Sequence, residues 1–257
     1  MPSRRVVLVT GAARRIGRSI ALDLAAHGFD LALHCHHASE EAAATAAELQ
    51  ALGARVAVLP ADLTDEAASR DLVPRALAQL GRLDAVVNNA SLFEHDDVAS
   101  FGHAAMERHW RANTAAPILL AQALHQHLAT RDDAAETPGC VVNLLDQKLW
   151  NPNPDHLSYT LSKAALESAT TMLAMALAPR LRVVGVAPGV TLPSGPMNQA
   201  EFERAHRMTP LQRSSTPEDL ARTVRFVLDS PAITGTTILV DGGQHLAAQP
   251  RDVYFLA

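Results

Sequence analysis

The chain of 257 residues has the size of one large α/β domain or two small ones. Its 48% hydrophobic and 19% charged residues, with 13 Gly and 15 Pro, exclude a disordered, collagenous or low-complexity chain. A net charge of −5, from 22 Lys and Arg against 27 Asp and Glu, argues against a general binder of phosphate backbones, so no nucleic acid partner is expected.

In chain order, short apolar runs alternate with longer Ala- and Leu-rich stretches. The runs are Val6–Val9, Leu31–Leu33, Val56–Leu59, Leu83–Val87, Val141–Leu145, Val183–Val186 and Ile238–Val240. Being unbroken rather than alternating, they suit strands covered on both faces, as in a parallel sheet. The first run breaks at Thr10-Gly11 and meets Arg14-Arg15, too soon for a signal peptide or for a membrane span of about 20 residues. No membrane partner is expected. Ile16, Ile20 and Leu24 fall on one face of a first helix, which Gly28 can terminate. Ser39–Leu52, Asp65–Leu80, Ala104–Leu128, Leu157–Leu177 and Pro217–Leu228 read as later helices.

Seven strands with interposed helices predict an α/β, doubly wound arrangement, with 1–257 as a single domain. Thr130–Gly139, acidic and holding Pro138, reads as an exposed connection. Thr191–Pro210, with Pro193, Pro196 and Pro210, reads as a mobile substrate-loop segment, spanning about 190–210 and holding a short helix. Cys35 and Cys140 each lie inside an apolar run, which predicts free thiols and a cytoplasmic protein.

Directly after the first run comes Thr10-Gly11-Ala12-Ala13-Arg14-Arg15-Ile16-Gly17. A strand, a glycine turn and a helix start aim backbone N–H groups and a positive dipole end at a pyrophosphate, although a glycine pair there also serves close packing alone. Where the second strand ends, an NAD site carries an acidic residue for the ribose 2′-hydroxyl. This chain has His34, Cys35, His36, His37 and Ser39 there, whose imidazoles and hydroxyl can donate to a 2′-phosphate, so NADPH/NADP is expected. The histidines raise a metal site as the rival. No carboxylate or cysteine set accompanies them, and on a strand His34 and His36 share a face while His37 points away, so no metal is expected. Asp62, followed by Leu63, succeeds the third strand and Asn88-Asn89-Ala90-Ser91 the fourth, at carboxyl ends where open α/β sheets bind ligands.

Tyr159 and Lys163 are one helical turn apart and share a face. The ammonium is expected to favour the phenolate and lower the phenol pKa, making Tyr159 a general acid near neutral pH. The same spacing also describes an ordinary surface pair. In order along the chain, the Thr10–Gly17 turn, Asn88-Asn89-Ala90, Asn113, Tyr159-x-x-x-Lys163, Pro188-Gly189 and Asp241-Gly242-Gly243 resemble the short-chain dehydrogenases/reductases over nearly the whole sequence. Two positions depart from that family's pattern. Arg15 stands where the middle glycine of the turn is usual, adding a cation that can contact a phosphate or a ligand oxygen. Asp146 stands where the family has its catalytic serine, thirteen residues before the tyrosine. A serine hydroxyl can donate to a substrate carbonyl oxygen, whereas an ionised carboxylate only accepts and repels a developing alkoxide, which disfavours simple ketone reduction. Asp146 suits a ligand that presents N–H groups or needs a proton on a ring nitrogen. With Arg15 and Asn89-Ala90-Ser91-Leu92-Phe93 it resembles the pteridine reductases, including dihydromonapterin and dihydrofolate reductases of short-chain type.

That resemblance implies a Rossmann-type domain of strand order 3-2-1-4-5-6-7, a nicotinamide cofactor, and a homodimer or homotetramer built on the two long helices. It implies a cofactor site formed by Gly11, Arg14, Arg15, Ile16, Gly17, His36, His37, Ser39, Asp62, Leu63, Asn89, Ala90, Ser91, Pro188 and Gly189. Arg15, Ser91, Phe93, Asp146 and Tyr159 would hold the substrate, with Phe93 stacked on one face of a pterin. The expected reaction is NADPH-dependent hydride transfer to a C=N bond of a pterin-like small molecule. Tyr159, assisted by Asp146, supplies the proton; Lys163 binds the nicotinamide ribose and tunes Tyr159; Asn113 orients Lys163 through water. Trp150 and Thr191–Pro210 are candidates for covering the pocket. The tail near Arg251 reads as plain surface, with a neighbouring subunit's pocket as its other destination. Two alternatives stand beside this reading: an NADP-dependent carbonyl or alcohol oxidoreductase in which Asp146 replaces serine, and a non-catalytic nucleotide-binding scaffold.

Overall fold

The computed structural model describes residues 4–131, 138–194 and 197–256. Its strands are β1 (Val6–Val9), β2 (Asp30–Cys35), β3 (Val56–Pro60), β4 (Ala85–Asn88), β5 (Gly139–Leu144), β6 (Leu181–Pro188) and β7 (Thr237–Val240). They form one parallel sheet in the expected order, β3-β2-β1-β4-β5-β6-β7. Its helices are α1 (Arg15–Ala26), α2 (Glu40–Ala51), α3 (Glu66–Leu80), α4 (His103–Trp110), α5 (Ala116–Leu128), α6 (Leu157–Leu177), α7 (Gln199–Arg207) and α8 (Pro217–Asp229).

The unbroken apolar runs have a direct cause in the packing. Successive strand side chains point to opposite faces. Val7 and Val9 of β1 pack with Ile20 and Leu24 of α1 and with Leu220 and Val224 of α8. Val6 and Leu8 face the other way, onto Leu72 of α3 and Leu120 and Leu124 of α5. Both faces of the strand are therefore dry. Truncating the fully buried Leu8 to alanine would cost about 2–5 kcal/mol through lost transfer energy and the cavity left behind.

Local chemistry starts and stops the helices. Ser39 Oγ accepts the Ala42 N–H (3.2 Å) at the start of α2, and Asp65 accepts those of Ala67 (2.8 Å) and Ala68 (3.2 Å) at the start of α3. After α1, Gly28 sits in the left-handed region at φ +86°, as its role of helix stop requires.

The stretch 104–128 is not the uniform helix its periodicity predicts. A π-helical turn, Arg111–Ala115, separates α4 from α5 and turns Asn113 and Thr114 into the protein. Such a turn adds one residue without interrupting the apolar pattern, so periodicity cannot reveal it. The bounds of β5 and β6 also differ from the expected Val141–Leu145 and Val183–Val186; β5 starts earlier and stops at Leu144, and β6 is longer at both ends. The 190–210 segment holds α7, whose start is a capping box: Asn198 Oδ1 accepts the Glu201 N–H (3.0 Å) while Glu201 Oε2 accepts that of Asn198 (2.8 Å). Residues 132–137 of the expected connection, and Pro196, lie outside the described residues.

Strand order reverses direction at β1 and β4, and a crevice opens there beyond the carboxyl ends of the strands. Among the described residues no helix is long and apolar enough to cross a membrane.

Candidate active site

At the end of β1 the chain is fixed by two short polar side chains, those of Thr10 and Asn89. Thr10 Oγ1 accepts the N–H groups of Asn89 and Ala90, each at 2.9 Å, and Asn89 Nδ2 donates to the Thr10 (2.8 Å) and Gly11 (3.3 Å) carbonyls. The turn is thereby tied to the end of β4. Gly11 is left-handed at φ +63°. A Cβ on Gly17 would lie 2.2 Å from Gly11 O and 2.5 Å from Asn89 Nδ2, so no side chain fits there. Arg15 also takes φ +53°, which explains why glycine is usual at that position; the arginine tolerates a conformation costing about 1–2 kcal/mol. Its guanidinium reaches across the cleft and donates to Pro193 O (2.8 Å). Arg14, the exposed N-cap of α1, offers no side-chain bond to the first-turn amides, and no acidic residue stands in that turn. A close-approach glycine turn facing an uncapped positive helix end fits a dinucleotide phosphate.

After β2 the structure separates the histidines. His34 is buried: its Nδ1 accepts the Gly11 N–H (3.1 Å) and its Nε2–H donates to Ala61 O (3.1 Å). Both ring nitrogens are thus spent, and His34 cannot serve a 2′-phosphate as the sequence suggested. Burial depresses its pKa to about 4, keeping it neutral as this bridge requires. His36 and His37 remain exposed, edge to face at 3.8 Å. Ser39 Oγ spends an acceptor site on Ala42 N–H but keeps its proton to donate. Asp62 turns inward on itself, with Oδ1 accepting Thr64 N–H and Oγ1–H at 2.8 Å each, bonds that hold its carboxyl below the usual range. Leu63 is buried beside it. Among the described residues no group of three or more His, Cys, Asp or Glu could hold a metal ion.

The β5 end is built from charged side chains. Asp146 lies just beyond β5; its Oδ2 accepts the Tyr159 hydroxyl (2.8 Å) and its Oδ1 accepts the Lys148 N–H (2.8 Å). Lys163 Nζ donates to Leu144 O (2.7 Å). The expected lowering of the Tyr159 pKa is overturned. Burial first, and then the Asp146 carboxylate, push the phenol well above its usual value. The reason is geometric: the hydroxyl meets the carboxylate directly, whereas the Lys163 ammonium stands 5.9 Å from the ring centre. Burial also raises the Asp146 carboxyl and lowers Lys163 to about 8. The site holds a neutral phenol, a carboxyl easier to protonate than usual, and an ammonium easier to deprotonate than usual.

Around this pair is a cleft of about 300 Å³ lined by residues of both ends, among them Arg15, Ile16, Asn89, Pro188 and Gly189. Ser91 and Phe93 line it too. Phe93, 43% exposed, stacks on the His156 ring at 4.2 Å and meets the Tyr159 ring edge-on at 4.7 Å. The Asn113 side chain does not contact Lys163. It clasps Leu92, accepting its N–H (2.7 Å) and donating to its carbonyl (2.9 Å), and donates to Ser162 Oγ (3.0 Å). Ala90 packs at the rim of the core beside these residues. Trp150 is 40% exposed and does not line the cleft, so it is not the cover the sequence suggested.

Sequence reasoning missed Lys148, Gln244, Asp252 and Val253, all of which line the cleft. Arg251 is pinned to Asp155 of the same chain through Nε (2.8 Å to Oδ2) and Nη2 (2.7 Å to Oδ1), and Asp252 N–H donates to Asp155 Oδ2 (2.7 Å). Arg251 itself is exposed, while Asp252 and Val253 after it line the cleft of their own chain. A lysine two residues after Asp146 was the one available signal; its ionic partner Asp252 lies about a hundred residues on and leaves no spacing to read.

The family model described as enoyl-(acyl carrier protein) reductase, one of the short-chain dehydrogenase/reductase models, matches residues 11–245. The chain belongs to the short-chain dehydrogenase/reductase family, a family of oxidoreductases. Within it, the chain is 33% identical to pteridine reductase 1 of Leishmania tarentolae, over 95% of this chain and 98% of that protein. It is 42% identical, with a TM-score of 0.88, to the FolM alternative dihydrofolate reductase 1 of Brucella canis solved in complex with NADP, covering 97% of each chain. It is also 30% identical to an L-rhamnose 1-dehydrogenase (NAD(P)(+)) of a Sphingomonas strain, over 95% of this chain and 98% of that protein. A family that spans sugar and pteridine chemistry leaves the choice of substrate to the site itself.

Proposed function

We propose that this chain is an NADPH-dependent reductase that delivers hydride to a C=N bond of an oxidised or dihydropterin. One observation carries the choice of substrate: a half-buried carboxylate, Asp146 Oδ2, accepts the hydroxyl of Tyr159 at 2.8 Å inside the cleft. A carboxylate there repels a developing alkoxide, but it accepts hydrogen bonds from ring N–H and exocyclic amine groups and can relay a proton toward a ring nitrogen. Relatives named for pteridine and dihydrofolate reduction support the same reading.

The nicotinamide, when bound, supplies the hydride. The Gly11–Gly17 turn and the start of α1 would hold the pyrophosphate, and His36, His37, Ser39 and Arg14 would offer donors to the 2′-phosphate. Asp62, Leu63, Asn89, Ala90, Pro188 and Gly189 would frame the remainder of the dinucleotide. Lys163, directed to Leu144 O, stands ready for the ribose hydroxyls. Tyr159 holds its proton at Oη between Asp146 and the substrate position, and burial makes both groups reluctant to stay ionised in the absence of a partner. As hydride reaches the ring carbon, the proton passes from this pair to the ring nitrogen, with water restoring it. Phe93 offers an aromatic face, and Arg15 and Ser91 offer donors at the ring edge. Asn113 acts on this arrangement by clamping Leu92, one residue before Phe93, and Ser162, one residue before Lys163.

The chain is further read as cytoplasmic, supported by the free, buried thiols of Cys35 and Cys140. It is read as a homodimer or homotetramer, supported by the exposed apolar side chains Leu161, Met172 and Met175 of α6 and Trp110 of α4. NADPH oxidation by the purified protein with dihydrobiopterin, dihydrofolate and a panel of ketones tests the function. Turnover of the pterins is expected. Turnover of ketones alone would instead support a carbonyl reductase, and tight NADPH binding without turnover a scaffold.

A further inference from the structure

The C-terminal tail brings a second carboxylate into the cleft. Asp252 is held by its neighbours: Arg251 forks onto Asp155, Asp252 N–H donates to the same carboxylate, and Asp252 Oδ1 caps the following turn by accepting Tyr254 N–H (3.1 Å). Its remaining oxygen, Oδ2, faces the ammonium of Lys148 at 3.3 Å. Lys148 is 4% exposed, lines the cleft, and otherwise donates only to Asp155 O (2.6 Å). The other two cations lining the cleft are already directed to carbonyls, Lys163 to Leu144 and Arg15 to Pro193. Lys148 is therefore a buried positive charge whose one ionic partner among the described residues comes from the tail, and that partner is tied to Lys148's own segment through Asp155.

We propose that Asp252 is a specificity-determining residue: by masking the Lys148 ammonium it sets how strongly the substrate side of the cleft discriminates against anionic substituents. With Asp252 in place that wall carries two carboxylates, Asp146 and Asp252, against one ammonium. With Asp252 neutralised, the wall goes from a net negative charge to balance between Asp146 and Lys148, and the Lys148 ammonium, released from its ion pair, will attract a substrate carboxylate. The attraction is substantial because the ammonium is removed from bulk water. The proposal rests on the pterin reading above and adds to it a determinant outside the turn and the Tyr159–Asp146 pair.

The test compares kcat/KM for dihydrofolate, whose side chain ends in carboxylates, with that for dihydrobiopterin, whose side chain is uncharged, in the full chain and in Asp252→Asn. The asparagine keeps an acceptor for Tyr254 N–H, and Asp252→Ser is the second variant if the first does not fold. The ratio of dihydrofolate to dihydrobiopterin is expected to rise about tenfold in the variant, through KM for dihydrofolate rather than through kcat. Adding Lys148→Met, which keeps the backbone N–H that Asp146 accepts, is expected to return the ratio to its starting value. A ratio unchanged in Asp252→Asn, or a rise that survives loss of Lys148, would overturn the proposal while leaving the pterin reading intact. A native protein that turns over neither pterin would overturn the functional reading, and this inference with it.

Discussion

The two ends of the cleft are made in different ways. At the β1 end, fit comes from short uncharged groups held close to backbone: the Thr10 hydroxyl and the Asn89 amide bond to main chain, Gly11 and Gly17 leave no room for side chains, and the charged Arg14 lies at the surface. At the β5 end, fit comes from ionisable side chains held against one another, Asp146 with Tyr159, Lys148 with Asp252, and Arg251 with Asp155. A phosphate needs a fixed cradle of N–H groups, which short-range geometry supplies. A reacting heterocycle needs protons placed and charges balanced, which requires groups from distant parts of the chain.

Breaking the β5 end should cost chemistry while sparing the cofactor. Tyr159→Phe removes the proton donor and is expected to lower kcat for dihydrobiopterin about a thousandfold with little change in the Kd of NADPH by fluorescence titration. Retention of more than a tenth of kcat would show that another group carries the proton. Breaking the β1 end should do the reverse. Gly17→Ala drives a Cβ against Gly11 O and Asn89 Nδ2, and the resulting shift of the turn is expected to weaken NADPH binding by about a hundredfold; unchanged affinity would mean the turn gives way without loss.

A subtler probe uses His34, which ties the turn to the end of β3. Its pKa falls from 6.5 to about 4 on folding, so the unfolded chain binds the proton more readily between those values. Stability from this group is complete above pH 6.5 and is lost as pH falls toward 4, by about 3 kcal/mol. Urea denaturation across that window should show the decline in the native chain and a shallower one in His34→Gln. Equal slopes in the two proteins would remove the titration from His34.

The same contrast decides what a reader of the bare sequence can find. The strands and the glycine turn were legible because unbroken apolar runs and a local motif encode them directly, while the order of the strands came with the family resemblance. Asp146 was legible by its position thirteen residues before Tyr159. The direction of the Tyr159 pKa was not, because spacing shows that Lys163 shares its helix face but not that the carboxylate stands nearer. Asn113 was found, but its clasp on Leu92 was not, since the π-helical turn that aims its amide there leaves no trace in periodicity. His34 was grouped with its exposed neighbours because a histidine bridging two backbone groups looks like any other in a run of three. The Lys148–Asp252 and Asp155–Arg251 pairs, 104 and 96 residues apart, have no local signature at all.

The central claim is that a carboxylate beside the phenol suits this pocket to a nitrogen heterocycle. Steady-state kinetics of Asp146→Ser with dihydrobiopterin, alongside NADPH titration, test it most directly. A fall in kcat/KM of about a hundredfold is expected, with the Kd of NADPH held within about twofold. Equal pterin turnover by the serine variant and the native protein would contradict it.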